Sequence, residues 1–205
     1  MSGKVIFDVG ANDGTSCYHF SHDENNTVYA FEPVPFSLNK LYKLQKENYI
    51  VIPTAVSSHN GKVKFNVGGE YNSGVGSIYS FSDGLETTWP GYNVFVNEGV
   101  IEVDCITMEK FIDENKIIVV DFLHCDTQGS DLDVLRSFGK HIGILQGGQV
   151  EVYNKNPLYM GAGNSLVHTK LFLEVNGFTV TKIENNDYLN NEYNMTFEKT
   201  GEQKV

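Results

Sequence analysis

Residues 5–16 read VIFDVGANDGTS, and this stretch indicates the fold of the chain. Its first five residues form a short apolar run rich in β-branched side chains, which is typical of a buried strand. A turn bounded by Gly10 and Gly14 follows, and Thr15 or Ser16 is placed to cap a helix after it. A strand that passes through a tight glycine turn into a helix is how an open α/β sheet holds a nucleotide-like cofactor at its carboxyl edge.

This turn differs from a dinucleotide-binding turn in its glycines and in its charge. The dinucleotide pattern is G-x-G-x-x-G, whereas Asn12 and Thr15 occupy its second and third glycine positions. Asp8 and Asp13 would also repel a pyrophosphate. S-adenosylmethionine carries no phosphate, so Asp8 could accept a hydrogen bond from its ammonium while glycine N–H groups bind its carboxylate. The alternative is an ordinary strand and turn with acidic loop residues.

A second carboxylate favours the cofactor interpretation. Glu32 follows the predicted strand 27–31 and lies 22 residues after Gly10. That is close to the spacing of about 20 residues at which a carboxylate in a βαβ unit reaches ribose hydroxyls. A carboxylate suits a 2′,3′-diol because it accepts two hydrogen bonds at once. Otherwise Glu32 is a surface residue that ends a strand.

Four segments together resemble the FkbM-type methyltransferases, a family within the class I S-adenosylmethionine-dependent superfamily. They are VIFDVGANDGTS, VYAFEPVPFSLNKL, FLHCDTQGSDLDVL and VEVYNKNPLYMG, in that order along the chain. The resemblance runs from Val5 to about Phe178 and is poor over about 68–100. It implies S-adenosylmethionine as the methyl donor and an antiparallel strand at the end of the sheet.

Further donor contacts are predicted beyond the first turn. Ala55 falls where a doubly wound sheet offers backbone groups to an adenine, and the resemblance implies adenine contacts there too. Ser77 lies in a Gly-Ser context where relatives often contact the amino-acid end of the cofactor. The alternatives are a plain strand-to-loop turn and a turn serine. The predicted donor-binding residues are Asp8, Gly10, Ala11, Asn12, Asp13, Gly14, Glu32, Pro33, Ala55 and Ser77.

The order of the patterns predicts an α/β fold with a single Rossmann-like doubly wound sheet of about seven strands, mostly parallel with an antiparallel C-terminal hairpin. One domain is expected over 1–205, with an inserted loop rich in Gly, Ser and aromatic residues at about 68–100. The main predicted helices are 16–20, 35–48, 108–114, 130–138 and 165–176. The predicted strands are 5–9, 27–31, 49–52, 62–67, 100–106, 117–125, 142–153 with an interruption at Gly147-Gly148, 178–183 and 193–198.

Composition excludes several classes of function. A length of 205 residues with 40% hydrophobic and 20% charged residues is typical of one globular domain. The net charge of −11 argues against a nucleic-acid-binding surface, which needs Lys and Arg to neutralise phosphates. The three cysteines include no C-x-x-C pair, so neither a disulfide framework nor a metal site is predicted.

The ends of the sequence and its apolar runs indicate a cytoplasmic protein without a membrane span. No charged segment followed by an apolar run begins the chain, so no signal peptide is predicted. No apolar stretch approaches the ~18 residues that a transmembrane helix requires.

Methyl transfer from a sulfonium is an in-line displacement, so donor and acceptor must be held in line and water excluded. An alcohol acceptor also gains from a base that takes its proton. The predicted catalytic residues are Asp126, Gln128, Glu151 and His124. Asp126 is alternatively a cap for the helix that follows it, and His124 is alternatively a hydrogen-bonded core residue.

The sequence therefore predicts an enzyme that methylates a hydroxyl of a sugar or other small polyol-like metabolite and releases S-adenosylhomocysteine. Aromatic residues within 68–100 can stack on sugar faces, and the acidic charge suits a neutral or cationic acceptor. The alternatives are an N- or carboxyl-methyltransferase on a peptide or small molecule, and a non-catalytic nucleotide-binding module. An NAD-dependent oxidoreductase is disfavoured by the missing glycines. The expected partner is a small-molecule or glycan acceptor, and the oligomeric state is left open.

Overall fold

A computed structural model describes residues 3–68, 73–85, 97–186 and 191–201. Its strands in these ranges are β1 (Val5–Val9), β2 (Thr27–Phe31), β3 (Tyr49–Ile52), β4 (Ala55–Val56), β5 (Gly61–Gly68), β6 (Asn97–Ile106), β7 (Phe122–Cys125), β8 (Gly147–Tyr153), β9 (Phe178–Asn185) and β10 (Glu192–Lys199). Its α-helices are α1 (Pro35–Leu41), α2 (Met108–Asn115), α3 (Asp131–Ser137) and α4 (Leu166–Val175). Shorter 3₁₀ turns occupy Tyr18–His22, Ser73–Val75 and Gly139–Ile144.

Seven strands form one sheet in the order β3-β2-β1-β7-β8-β10-β9. In this sheet β3, β2, β1, β7 and β8 are parallel to one another, whereas β10 runs antiparallel to both β8 and β9. The predicted fold class and its antiparallel C-terminal hairpin are therefore confirmed. The strand order reverses between β1 and β7, and the carboxyl ends of these strands flank the crevice where doubly wound sheets bind ligands.

The three remaining strands form a second, smaller sheet in the order β4-β6-β5. Two of them were predicted as strands, but their antiparallel pairing was not. A long segment of the chain separates β5 from β6. The alternation of polar and apolar residues within one strand does not reveal a partner so distant in sequence. Residues 69–72 and 86–96 of the predicted inserted loop at about 68–100 lie outside the described residues. The insertion and the single-domain assignment therefore stay predictions.

The predicted helix over 35–48 ends early, at Leu41. The chain must turn here to begin β3, because Lys46 already pairs with Tyr49. The side chain of Asn48 fixes the turn by donating to the carbonyls of Ser21, Asp23 and Asn26. Amphipathic spacing alone therefore overestimated the length of this helix.

The predicted helix over 16–20 is instead the short 3₁₀ turn Tyr18–His22, and no side chain caps it. The N-cap position is Cys17, so Thr15 and Ser16 both precede it, and the Thr15 hydroxyl donates to the Asp13 carboxylate instead. Side chains cap two of the α-helices. Thr107 accepts a hydrogen bond from the Lys110 N–H at the start of α2, and Ser165 accepts from the His168 N–H at the start of α4.

The central strand is shorter than its apolar run, because only Phe122–Cys125 belong to β7 and Ile118 is 86% exposed. The glycines of β8 begin that strand and do not interrupt it. A Cβ on Gly148 would lie 2.3 Å from the Leu123 carbonyl oxygen, and one on Gly147 would lie 2.7 Å from the Phe197 carbonyl oxygen. Glycine is needed at both positions because neighbouring strands approach too closely for a side chain.

The two faces of the main sheet carry separate hydrophobic clusters. Phe7 and Leu123 pack with α2 and α3 on one face, whereas Ile6 and Val28 pack with α1 on the other. Because strand side chains alternate between faces, Asp8 and His124 lie on the α1 face together with Ile6. No helix within the described ranges is long and apolar enough to cross a bilayer.

Candidate active site

A cleft opens at the carboxyl edge of the main sheet, where strand order reverses. Its empty space, including the part open to solvent, is about 510 Å³. Seven of the predicted site residues line it: Gly10, Asn12, Glu32, Pro33, Ala55, Asp126 and Gln128. None of the described lining residues is a lysine or arginine. The cleft therefore brings the first βαβ unit and the end of β7 together around one space.

Gly10 joins the two sides of the cleft. It has a φ of +81°, and a Cβ there would lie 2.0 Å from the Asp126 carbonyl oxygen. A side chain at this position would push the end of β7 away from the turn. The N–H groups of Gly10 and Ala11 both donate to the Phe31 carbonyl, and the Gly14 N–H donates to the Ala11 carbonyl. Both glycine N–H groups are therefore used within the protein, and their binding of the donor's carboxylate stays a prediction.

Glu32 is held at the lip of the cleft by two backbone groups. Its Oε2 accepts from the Asn12 N–H at 3.0 Å, and its Oε1 accepts from the Val34 N–H at 2.7 Å. The residue is only 6% exposed. Burial raises the pKa of the Glu32 carboxyl to about 7, opposed by these two hydrogen bonds and supported by the negative charge of Asp8. Each carboxylate oxygen keeps a lone pair for a further donor.

Asn12 connects this carboxylate to α1. It adopts a φ of +46°, which asparagine tolerates better than most residues. Its side-chain oxygen accepts a hydrogen bond from the Ser37 hydroxyl at 3.0 Å. The turn between β1 and the following segment is thus fixed to both Glu32 and α1 before any ligand binds.

Gln128 organises the opposite side of the cleft. It has a φ of +54°, and its amide nitrogen donates to Asp126 Oδ1 at 2.7 Å and to Glu151 Oε2 at 3.1 Å. Its amide oxygen accepts from the Tyr159 hydroxyl at 2.7 Å. The other oxygen of Glu151 accepts from Asn186 at 2.6 Å. One amide therefore spaces two carboxyl groups and fixes their orientation.

The carboxyl groups on this side favour their protonated forms more than free carboxylates do. Burial raises the pKa of Asp126, although the Gln128 hydrogen bond and the charge of His124 oppose the shift. Burial also raises the pKa of Glu151, and the neighbouring Asp126 adds to it. Burial raises the pKa of Asp131 to about 7. Raised carboxyl pKa values at a cleft are a feature of groups that exchange protons with a substrate.

Asp126 does not cap the following helix. The N-cap of α3 is Ser130, and no side chain accepts a capping hydrogen bond there. The hydrogen bond to Asp126 comes from Gln128, and its second oxygen accepts none within the described ranges. The alternative interpretation of Asp126 as a helix cap is therefore wrong.

Asp8 and His124 lie beneath the cleft and do not line it. They face each other across β1 and β7, where His124 Nδ1 and Asp8 Oδ1 are 2.9 Å apart. Although burial opposes charging of the imidazole, the hydrogen bond and charge of Asp8 raise the pKa of His124. A donor contact for Asp8 and a catalytic role for His124 stay predictions.

The other predicted residues support the cleft without lining it. Ala11 is buried in the cluster on the α1 face, and Gly14 packs against Leu44 with a φ of +87°. The hydrogen bond from Thr15 lowers the pKa of Asp13. Ser77 is buried, and its hydroxyl donates to the Gln128 carbonyl at 2.6 Å. Ser77 therefore holds the positive-φ backbone of Gln128.

Sequence patterns did not reveal four members of this network: Asp131, Tyr159, Asn164 and Asn186. Asp131 accepts from the Glu151 N–H, and Asn164 donates to the Glu151 carbonyl. Asp131 and Tyr159 carried a usable signal, because they lie within FLHCDTQGSDLDVL and VEVYNKNPLYMG, two of the segments that carry the family resemblance. Asn164 and Asn186 lie outside these segments, and their approach to β8 depends on the complete fold.

The family model for the Methyltransferase FkbM domain matches residues 8–197. This range includes every strand of the main sheet in whole or in part, and both sides of the cleft. No curated protein matches the sequence.

Solved structures of similar fold share little sequence with this chain. Fibrillarin from Methanococcus jannaschii has a TM-score of 0.52 at 15% identity, over 98% of this chain and 68% of that one. Aeropyrum pernix fibrillarin, solved with natively bound S-adenosyl-L-methionine, has a TM-score of 0.51 at 12% identity, over 96% and 66%. Magnesium protoporphyrin IX methyltransferase from Synechocystis PCC 6803, with S-adenosyl-L-methionine bound, scores 0.52 at 8% identity, over 97% and 71%. At these identities the likeness shows the fold.

Proposed function

Because this chain belongs to the FkbM methyltransferase family, we propose that it transfers a methyl group from S-adenosylmethionine to a hydroxyl of a sugar or other small polyol-like metabolite. The observation that carries the proposal is the arrangement of Glu32 and Asp126, which line one cleft from its two sides. Glu32 is suited to the ribose diol of the donor, and Asp126 to the proton of the acceptor.

The donor side of the cleft is suited to a cation with a ribose. Two backbone N–H groups orient the Glu32 carboxylate, and its remaining lone pairs can accept from both ribose hydroxyls. Pro33, Ala55 and Val56 give an apolar wall next to it, which suits an adenine ring. None of the described lining residues is a lysine or arginine that would repel the positive charge of a sulfonium. The site of NAD binding, by contrast, must accept two phosphates.

The acceptor side supplies a positioned base. The Gln128 amide holds one oxygen of Asp126 at 2.7 Å, so the carboxyl group keeps a fixed orientation. Asp126 could then take the proton of an acceptor hydroxyl as the oxygen attacks the methyl group in line with the leaving sulfur. Glu151 is engaged on both oxygens by Gln128 and Asn186. We therefore assign Asp126 as the base and Glu151 as a group that positions Gln128.

An amine acceptor is a second candidate, and the charge of the cleft favours it. Asp126 lines the cleft, and no described lysine or arginine does. A protonated amine would therefore be attracted and would lose its proton before attack. The two candidates differ in the product, because one gives an ether and the other a methylated amine.

Transfer of an isotopically labelled methyl group tests the proposal. The full chain is incubated with labelled S-adenosylmethionine and a panel of sugars, polyols and amines, and products are located by mass spectrometry. Labelled ether on a polyol supports the first candidate, and labelled amine supports the second. Donor binding without transfer to any member of either class would favour the non-catalytic module.

The raised pKa of Glu32 predicts a pH dependence of donor binding. With a pKa of about 7, the carboxylate form rises from a minor to a major fraction between pH 6 and pH 8. If the carboxylate form alone binds the diol, the apparent donor affinity should rise about tenfold over this range. Titration calorimetry of the wild type and of Glu32→Gln at several pH values measures this step. The variant cannot ionise at this position. If its donor affinity rose equally with pH, the pH dependence would belong to another group, such as Asp131 or the ligand.

The raised pKa of Glu32 affects the stability of the free protein in the opposite direction, because this contribution to stability falls as the pH rises. Because the folded pKa lies above the ordinary value of 4.5, folding favours the protonated carboxyl. This contribution is present below about pH 4.5 and is lost as the pH rises through about 7.

A further inference from the structure

We propose that Asp8, Cys17 and His124 form a binding site for one zinc-type divalent cation beneath the turn that begins with Gly10. The site is separate from the cleft, because none of the three residues lines it. The proposal does not depend on methyl transfer and would hold for a non-catalytic protein of this fold.

The three side chains come from different segments and meet at one point. Asp8 and His124 are cross-strand neighbours on β1 and β7, on the face covered by α1. Cys17 reaches them from the segment after the glycine turn. One potential ligand atom from each residue lies within 4.8 Å of the other two. This juxtaposition explains why the cysteine spacing gave no metal motif.

A buried oxygen without a strong hydrogen bond provides a second observation. Asp8 is 0% exposed and Cys17 is 1% exposed, while the His124 side chain is 17% exposed. Asp8 Oδ1 pairs with His124, whereas Asp8 Oδ2 makes no hydrogen bond of good geometry to a described residue. The Cys17 thiol, a weak donor, interacts with this carboxylate. A buried carboxylate oxygen without a strong hydrogen bond is costly, because it loses its hydration without full replacement. A cation bound to this oxygen would remove that cost.

The donor set favours zinc over harder cations. Zinc accepts one carboxylate oxygen, one thiolate sulfur and one imidazole nitrogen at roughly 2.0–2.3 Å. Ligand atoms of one tetrahedral centre are then about 3–4 Å apart, so small movements from the present separations suffice. Calcium and magnesium prefer all-oxygen sites, which this cluster does not offer. Zinc with one carboxylate and one thiolate is also neutral overall, as burial requires.

A cation here would connect three segments that carry the cleft. It would link the end of β1, the end of β7 and the Tyr18–His22 turn from below, next to Gly10 and Asp126. The metal-free alternative is a hydrogen-bonded Asp8–His124 pair beside a neutral Cys17 thiol. The two states differ in whether the Cys17 sulfur is a thiolate bound to metal.

Cobalt titration of the chelator-treated full chain distinguishes the metal-bound state from the metal-free state, because a cobalt–thiolate bond gives a charge-transfer absorption in the near ultraviolet. We expect one cobalt per chain, with this band saturating at one equivalent and zinc displacing it. Cys17→Ser should abolish the band. The matched control Cys105→Ser should keep it, because Cys105 lies in the smaller sheet and contacts the His59 carbonyl.

A second variant keeps the test decisive if Cys17→Ser does not fold. Cys105→Ser combined with Cys125→Ala leaves Cys17 as the only thiol, and it should retain both the band and the one-to-one stoichiometry. The absence of saturable binding in the wild type would overturn the proposal. A band that survives in folded Cys17→Ser, or that disappears in the variant with Cys17 alone, would overturn it as well.

Discussion

Asp126→Asn is expected to slow methyl transfer to a hydroxyl acceptor about a hundredfold, within the 10²–10⁴-fold range that general-base catalysis contributes. The variant keeps a side-chain oxygen that can accept from Gln128, so the local geometry is retained. The lost property is the ability to take a proton. Donor affinity should change only a few-fold, because the donor is bound mainly by the first βαβ unit.

Single-turnover transfer, donor titration and thermal melting of the same Asp126→Asn protein measure this prediction. Glu151→Gln is the matched comparison, since it alters the other carboxyl group that Gln128 contacts. We expect Glu151→Gln to reduce transfer less than Asp126→Asn does. Normal turnover in Asp126→Asn would contradict the assignment and move the base to Glu151. A large loss of donor affinity would instead assign Asp126 to donor binding.

Glu32→Ala should weaken binding of S-adenosylmethionine at least tenfold. Hydrogen bonds to a charged group contribute about 1.5–3 kcal/mol each, and each 1.4 kcal/mol is a factor of ten in affinity. The variant removes the acceptors for the ribose diol. It also leaves the Asn12 and Val34 N–H groups without their carboxylate partner, so some loss of order in the turn is expected to add to the effect.

Glu32→Gln separates these contributions only in part. Both carboxylate oxygens accept backbone N–H groups, so the amide nitrogen of glutamine must face one of these donors. We therefore expect a loss close to that of Glu32→Ala. Glu47→Ala is the control, because Glu47 is exposed and does not line the cleft. Unchanged donor affinity in a folded Glu32→Ala protein would show that this carboxylate does not bind the donor.

The donor side of the site could be predicted from sequence because its residues are close along the chain. A strand, a glycine turn and a carboxylate about 20 residues later are local features with a fixed spatial outcome in a βαβ unit. Glu32 and Gly10 therefore lie at the cleft as expected. The hydrogen bond that occupies the Gly10 N–H was not predictable, because it depends on the register of β1 against β2.

For the acceptor side of the cleft, the sequence predicted only which residues lie at the ends of strands. Asp126 and Gln128 follow an apolar run, which placed them at the sheet edge. Their contacts with Tyr159 and Asn186 require loops that return from distant positions. The Asp8–His124 pair could not be predicted either. A strand pattern identifies the face on which each residue lies but not which residue of the neighbouring strand lies opposite.

Calorimetric titration of the wild-type chain with S-adenosylmethionine, S-adenosylhomocysteine and NAD tests most directly which cofactor the cleft binds. We expect saturable binding of the first two compounds at one site per chain and no binding of NAD. Tight binding of NAD without a response to S-adenosylmethionine would contradict the assignment of this cleft to a methyl donor.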